Sequence, residues 1–230
     1  MFSILKVNSN ILDTFKLEAS GILYKQLHAL RTYEAYQQLN KLISLDDILL
    51  KYDEIESQLL VERKTEKIIR VIFSPDDYSY TFTVLDYVVI ETPVRLQFID
   101  YPKQLSGLGI QNYKWEQRPF WGKLNQQKKQ DAFDIISVNE KNELVETSRF
   151  NIFLYDTKSD SVLTPALSSG CINGVFRRLV IFQNYIQLPN LGRKKIQEMN
   201  LPINLILENI SDHQLFVANS VRGVLPAELL

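Results

Sequence analysis

Six short fragments bring together side chains able to do chemistry: His28-Ala29-Leu30-Arg31, Tyr113-Lys114-Trp115-Glu116-Gln117-Arg118, Val145-Glu146 through Asn151-Ile152-Phe153, Leu163-Thr164-Pro165, Asn173-Gly174-Val175-Phe176-Arg177, and Ala218-Asn219-Ser220-Val221-Arg222-Gly223. A lysine amine can condense with a carbonyl. A carboxylate can hold a protonated nitrogen, and amides at the start of a helix can hold an anion. Taken singly, each residue has a plainer reading. Glu146 is then a surface acid flanking a turn, Arg31 an exposed helix charge, and His28 a polar tip on a half-buried helix. Other reactive signatures are missing: the sequence has no Gly-rich phosphate loop, no metal-spaced Cys/His cluster and no Ser/His/Asp signature. Cys171 is the only cysteine, and His28 and His213 are the only histidines. A small buried thiol is therefore the better reading of Cys171.

The elements that must position these fragments can be read from periodicity. Ile11 to Leu17 is strand-like and Ser20-Gly21 is a turn signal. Leu23, Leu27, Leu30, Leu39 and Leu42 recur at helical spacing. Ser44 with Asp47 resembles a capping box, opening a second helix with Ile48, Leu49, Tyr52, Ile55 and Leu59 in its stripe. Lys67–Ser74 and Tyr78–Val89 are β-rich runs around Pro75-Asp76-Asp77, a hairpin. A boundary near Glu91-Thr92-Pro93 divides the chain into lobes of residues 1–92 and 93–230. The second lobe is expected to hold a strand at Arg95–Asp100, a Gly-bearing loop at Ser106–Gly109 and a helix over Gln117–Gln130 with Pro119 near its start. Strands follow at Ala132–Val138, Leu144–Thr147 and Asn151–Tyr155, helices at Gly174–Asn184 and Gly192–Met199, and a final strand at Gln214–Ala218. Thr164 reads as a structural strand-end residue. This order predicts an α+β fold in two lobes.

Composition sets the frame. At 230 residues and a formal net charge of −1, the chain can bury a real core and is no match for a polyelectrolyte. Arg193-Lys194-Lys195 and Lys128-Lys129 read as solvated faces, so no nucleic-acid partner is expected. No stretch approaches a membrane span, and Met1–Val7 lacks the form of a signal peptide. A lone cysteine suits a reducing compartment, so the cytosol is expected.

In this order the six fragments resemble the class IV aminotransferase family, the fold-type IV pyridoxal 5′-phosphate (PLP) enzymes. Its members include branched-chain and D-amino acid aminotransferases and 4-amino-4-deoxychorismate lyase. The resemblance covers nearly the whole chain and is weakest from Leu45 to Pro102. It implies a small N-terminal α/β sandwich lobe and a larger C-terminal pseudo-barrel lobe that binds the cofactor. Relatives are usually homodimers, so a homodimer acting on a small molecule is expected.

The resemblance also implies roles. In the family a cofactor lysine precedes, by about thirty residues, a glutamate opening an E-x-x-x-x-N-I/L-F segment. Lys114 stands 32 residues before Glu146, with Asn151 and Phe153 at the matching offsets, whereas Lys123 stands only 23 before it. Lys114 is thus the expected Schiff-base lysine, with Arg118 four residues on as in the lyases. Glu146 is the expected partner of the ring nitrogen, keeping it protonated so that the ring stores electrons. Arg31 is expected at the phosphate, with the backbone amides of Val175 and Phe176 at a helix start after Gly174, and Ser220 with Asn219. Many relatives carry threonine where this chain has Phe176, so only the amide carries over there.

Two reactions suit these residues. One is elimination of pyruvate from aminodeoxychorismate to give 4-aminobenzoate; the other is transamination of an amino acid. The segment Asn219 to Ala227 is more like the lyase segment, and Arg222 is a candidate for a substrate carboxylate. A catalytically silent relative is the third reading, motivated by the short first lobe.

Overall fold

The computed structural model describes residues 9–59, 65–100, 110–208 and 212–230. The expected Gly-bearing loop at Ser106–Gly109 lies outside the described residues. The chain forms two compact units, Met1–Val88 with Tyr113–Arg118, and Val89–Asn112 with Pro119–Leu230.

The first unit is a four-stranded antiparallel sheet, β1 (Ile11–Glu18), β2 (Gly21–Ile22), β3 (Lys67–Phe73) and β4 (Tyr80–Asp86), in the order β2-β1-β3-β4. Its helices are α1 (Lys25–Gln38) and α2 (Leu45–Gln58). The capping box opens α2 as expected: Ser44 Oγ accepts from the Asp47 amide and Asp47 from the Ser44 amide, a motif contributing about 1 kcal/mol. Ile48, Tyr52 and Ile55 are its buried stripe. The first helix departs from expectation. It stops at Gln38, Leu42 is 93 % exposed, and its buried residues are His28, Ala29, Arg31, Thr32, Ala35 and Tyr36 rather than the leucines. His28 is fully buried, not a half-exposed tip. The cause lies on β1, where Asp13 takes the inward parity of Ile11, Phe15 and Leu17, so the helix must turn donors toward it.

The second unit is a nine-stranded mixed sheet with few helices, ordered β10-β11-β9-β8-β12-β13-β5-β6-β7. The strands are β5 (Val94–Phe98), β6 (Asp134–Val138), β7 (Leu144–Thr147), β8 (Asn151–Asp156), β9 (Ser161–Pro165), β10 (Tyr185–Leu188), β11 (Gly192–Met199), β12 (His213–Asn219) and β13 (Gly223–Leu229). Its helices are α3 (Pro119–Asn125), α4 (Val175–Gln183) and α5 (Asn204–Leu207). The α+β expectation holds, with three corrections. The segment from Gly192 to Met199 is a strand, not a helix. Asn190 and Gly192 have positive φ and close a hairpin, so Arg193, Lys195 and Gln197 alternate outward while Ile196 packs inward. The chain does not end with the strand at 214–218: β13 follows it and also pairs parallel with β5. The helix expected over 117–130 spans only Pro119–Asn125, because the Lys129 amide leaves the helical pattern to bond Gln97 Oε1.

Among the described residues, no helix is long and apolar enough to cross a membrane.

Candidate active site

In the first unit, the segment carrying Lys114 runs against β1. The Leu12 amide donates to Lys114 O at 2.9 Å, the Glu116 amide to Asn10 O at 2.9 Å, and Ile11 bridges Trp115. This pairing brings Lys114 Nζ to 3.0 Å from Thr14 Oγ1. Strand alternation makes Asp13 and Thr14 opposite-facing neighbours. Asp13, fully buried, accepts from His28 Nδ1 at 2.9 Å, from Arg31 Nη2, from the Tyr52 hydroxyl and from the Thr14 amide at 2.8 Å. Tyr52 also shares a 2.8 Å hydrogen bond with Thr32 Oγ1.

The electrostatics follow from this packing. Burial alone would push the Asp13 carboxyl up, but His28 and Arg31 together outweigh it and hold the group well below the usual carboxylate range. Burial lowers the His28 imidazole against the pull of Asp13. Burial also lowers Lys114, aided by the positive charges of Arg31, Arg118 and Arg70 and opposed by Asp13, to about 7 from its ordinary 10.5. A lysine so poised has about half of its population as the uncharged nucleophile at pH 7, where an ordinary lysine has almost none.

In the second unit, Glu146 on β7 is buried. Ser137 Oγ donates to its backbone carbonyl at 2.9 Å, and its Oε2 accepts the Ile172 amide at 2.9 Å. Asn151 Nδ2 donates to Ile172 O at 2.9 Å. The carboxylate and the amide therefore grip the two ends of one residue, which gives the five-residue spacing of Glu146 and Asn151 a physical cause. The turn between them is tied down by Asp134. This buried carboxylate accepts Thr147 Oγ1 at 2.9 Å, the Ser148 amide at 3.2 Å and the Arg149 amide at 3.1 Å.

The same grip sets the start of α4. Gly174 is its N-cap with no side-chain cap, so the amides of Val175 and Phe176 stand in the first turn, where no intrahelical acceptor exists. A Cβ on Gly174 would sit 2.3 Å from Asn151 Oδ1, so only glycine allows this approach. Arg177, buried behind this turn, donates to Pro165 O at 2.9 Å and pairs with Glu198. Thr164 Oγ1 donates to Ile152 O at 2.8 Å, in keeping with its structural reading. Ser220 is buried in the turn between β12 and β13. Asn219 shapes that turn, accepting the Val221 and Arg222 amides at 3.0 and 2.8 Å and donating to Arg149 O at 3.1 Å. Arg222 is half-buried beside it. Cys171 is buried, its thiol donating to Pro165 O.

Arg31 and Lys114 thus lie in the first unit, and Glu146, Val175, Phe176, Asn219, Ser220 and Arg222 in the second. Asp13, Thr14, Tyr52 and Asp134 were missed by sequence reasoning. For Asp13 a signal existed, an acid at the inward parity of an apolar strand. Within the first unit, an amine of lowered pKa and a buried guanidinium suit an aldehyde and a phosphate; within the second, a buried carboxylate and an uncapped helix start suit a protonated nitrogen and an anion.

Residues 121–230 match the family model for amino-transferase class IV, a family of PLP-dependent enzymes. No curated protein matches the sequence. Solved structures share the fold. A Mesorhizobium loti protein provisionally described as an amino-acid aminotransferase superposes with a TM-score of 0.80 at 19% identity, covering 97% of this chain and 100% of that one. The 4-amino-4-deoxychorismate lyase of Pseudomonas aeruginosa gives 0.74 at 15% identity, covering 100% and 87%. A hypothetical aminotransferase from Mycobacterium tuberculosis, in a PLP-bound form, gives 0.73 at 13% identity, covering 97% and 82%.

Proposed function

We propose, on the premise that this chain belongs to the class IV aminotransferase family through residues 121–230, that it is a PLP-dependent lyase releasing pyruvate from aminodeoxychorismate to leave 4-aminobenzoate. The observation that carries this reading is the Lys114 amine held 3.0 Å from the Thr14 hydroxyl, in surroundings that lower its pKa. When bound, the cofactor supplies an electron sink conjugated to the substrate nitrogen. Lys114 would hold the cofactor through its aldehyde, and the same amine would take the ring proton whose loss accompanies aromatisation. Thr14 keeps the released amine in place. Glu146, fixed by Ile172 and by the Asp134-capped turn, would hold the ring nitrogen protonated. Arg31 from the first unit, and the amides of Val175 and Phe176 with Ser220 and Asn219 from the second, would hold the phosphate. Arg222 faces a substrate carboxylate.

The lyase is preferred for the Asn219-Ser220-Val221-Arg222-Gly223 segment, whose residues resemble the corresponding segment of lyases. The alternative is amine transfer to a keto acid, with Lys114 moving the proton from the α-carbon. The likeness to an amino-acid aminotransferase at a TM-score of 0.80 favours that second reading. We read residues 1–92 as the small lobe and 93–230 as the cofactor lobe of a cytosolic homodimer.

Two measurements test this. Purified protein with PLP should show a visible absorbance band that borohydride bleaches and that is lost in Lys114→Ala. A wild type without the band is the silent relative. Pyruvate release from aminodeoxychorismate is then expected to exceed amine transfer to 2-oxoglutarate, and the reverse order assigns the aminotransferase.

A further inference from the structure

We propose that Asp13 is a positioning residue whose buried carboxylate sets the Arg31 guanidinium for the cofactor phosphate, an inference that rests on the reading above. Asp13 collects donors from three elements: its own strand through the Thr14 amide, α1 through His28 and Arg31, and α2 through Tyr52. Thr32 braces Tyr52 in turn. A carboxylate this deeply buried persists only when paired and hydrogen-bonded, and here every donor also fixes its angle. It engages Arg31 at Nη2, and a guanidinium fork has further donors to offer an oxyanion.

The neighbouring charges give the carboxylate its consequence. Arg31 is only 6% exposed and acts on Lys114 as a repelling positive charge. Without the negative charge at position 13, the guanidinium would leave this buried site for water. The ready-made phosphate donor would then have to be recovered from a disordered population. Because Thr14 is the next residue on β1 and its amide bonds Asp13, one strand segment orders both Arg31 and the Lys114 partner.

The test compares two aldehydes that differ only in the phosphate. Dissociation constants of PLP and pyridoxal for the full-length apo-protein are read from absorbance of the lysine adduct in wild type, Asp13→Asn and Tyr52→Phe. Asp13→Asn is expected to weaken PLP about tenfold, as for loss of a charged hydrogen bond, and pyridoxal by less than about twofold. Tyr52→Phe removes one brace and should weaken PLP about threefold with the same selectivity, which keeps the test decisive should Asp13→Asn not fold. Equal losses for both aldehydes, or no loss for PLP, overturn the positioning role. A wild type that forms no adduct with either aldehyde overturns the cofactor reading and this inference together. A wild type that binds PLP while the variants lose selectivity in neither direction overturns this inference alone.

Discussion

The Lys114 amine donates to the Thr14 hydroxyl at 3.0 Å, across a backbone pairing that joins residue 114 to a strand one hundred positions earlier. Burial and the nearby arginines lower this amine to about 7. Its reaction with pyridoxal should therefore rise through pH 7 and level off by about pH 8.5, whereas an ordinary lysine would keep gaining toward 10.5. The same shift has a stability consequence. Between pH 7 and 10.5 the unfolded chain binds the proton that the folded chain has released, so the lysine's destabilising contribution fades as pH rises through that window. Wild type should gain stability there relative to Lys114→Met, as denaturant titrations at several pH values would read.

Gly174→Ala is expected to destabilise the second unit by about 1–3 kcal/mol, the usual range for overpacking. The added Cβ would lie 2.3 Å from Asn151 Oδ1, and Asn151 cannot yield without releasing Ile172 O. Affinity for PLP should fall with it, because the α4 amides move. A lowered denaturation midpoint with unchanged PLP affinity would separate the helix start from phosphate binding.

Asp134→Ala removes the carboxylate that accepts the Thr147 hydroxyl and the Ser148 and Arg149 amides, leaving the hydroxyl its Phe150 O contact and the Arg149 amide its Thr147 Oγ1 contact. A loss of about 1–3 kcal/mol is expected, the cost of about one unmet buried donor, since Ser148 is half-buried and Arg149 exposed. Urea unfolding measures it. A change under 1 kcal/mol would mean that the turn holds without its carboxylate.

Arg177→Met removes a buried guanidinium that binds Pro165 O and Glu198, joining α4 to β9 and β11. Breaking a buried pair costs about 3–5 kcal/mol, and Glu198 keeps about a third of its side chain in water, so about 2 kcal/mol is expected. Thermal unfolding reads this directly, and a second change, Glu198→Gln, should then add little to Arg177→Met.

Local signals reached the sequence intact. The capping box at Ser44, the strand-like run of β1, the β-rich run of β3, proline at the first position of α3, and the offset between Glu146 and Asn151 depend on neighbours within a few residues or on order along the chain. What escaped was set by distant partners. The amphipathic stripe of α1 pointed to its leucines, but Asp13 drew His28, Arg31 and Thr32 inward, because a buried charge outweighs several half-buried methyl groups. The strand at Gly192–Met199 shows the same limit, since its polar run becomes β-structure only through pairing with β9 and β10. The sequence by itself determined which residues are candidates for chemistry, through side-chain type, order and spacing. Tertiary structure alone decided that Thr14 meets Lys114 and that Glu146 and Asn151 share Ile172, because hydrogen bonds between remote segments exist only once the backbone has been brought together.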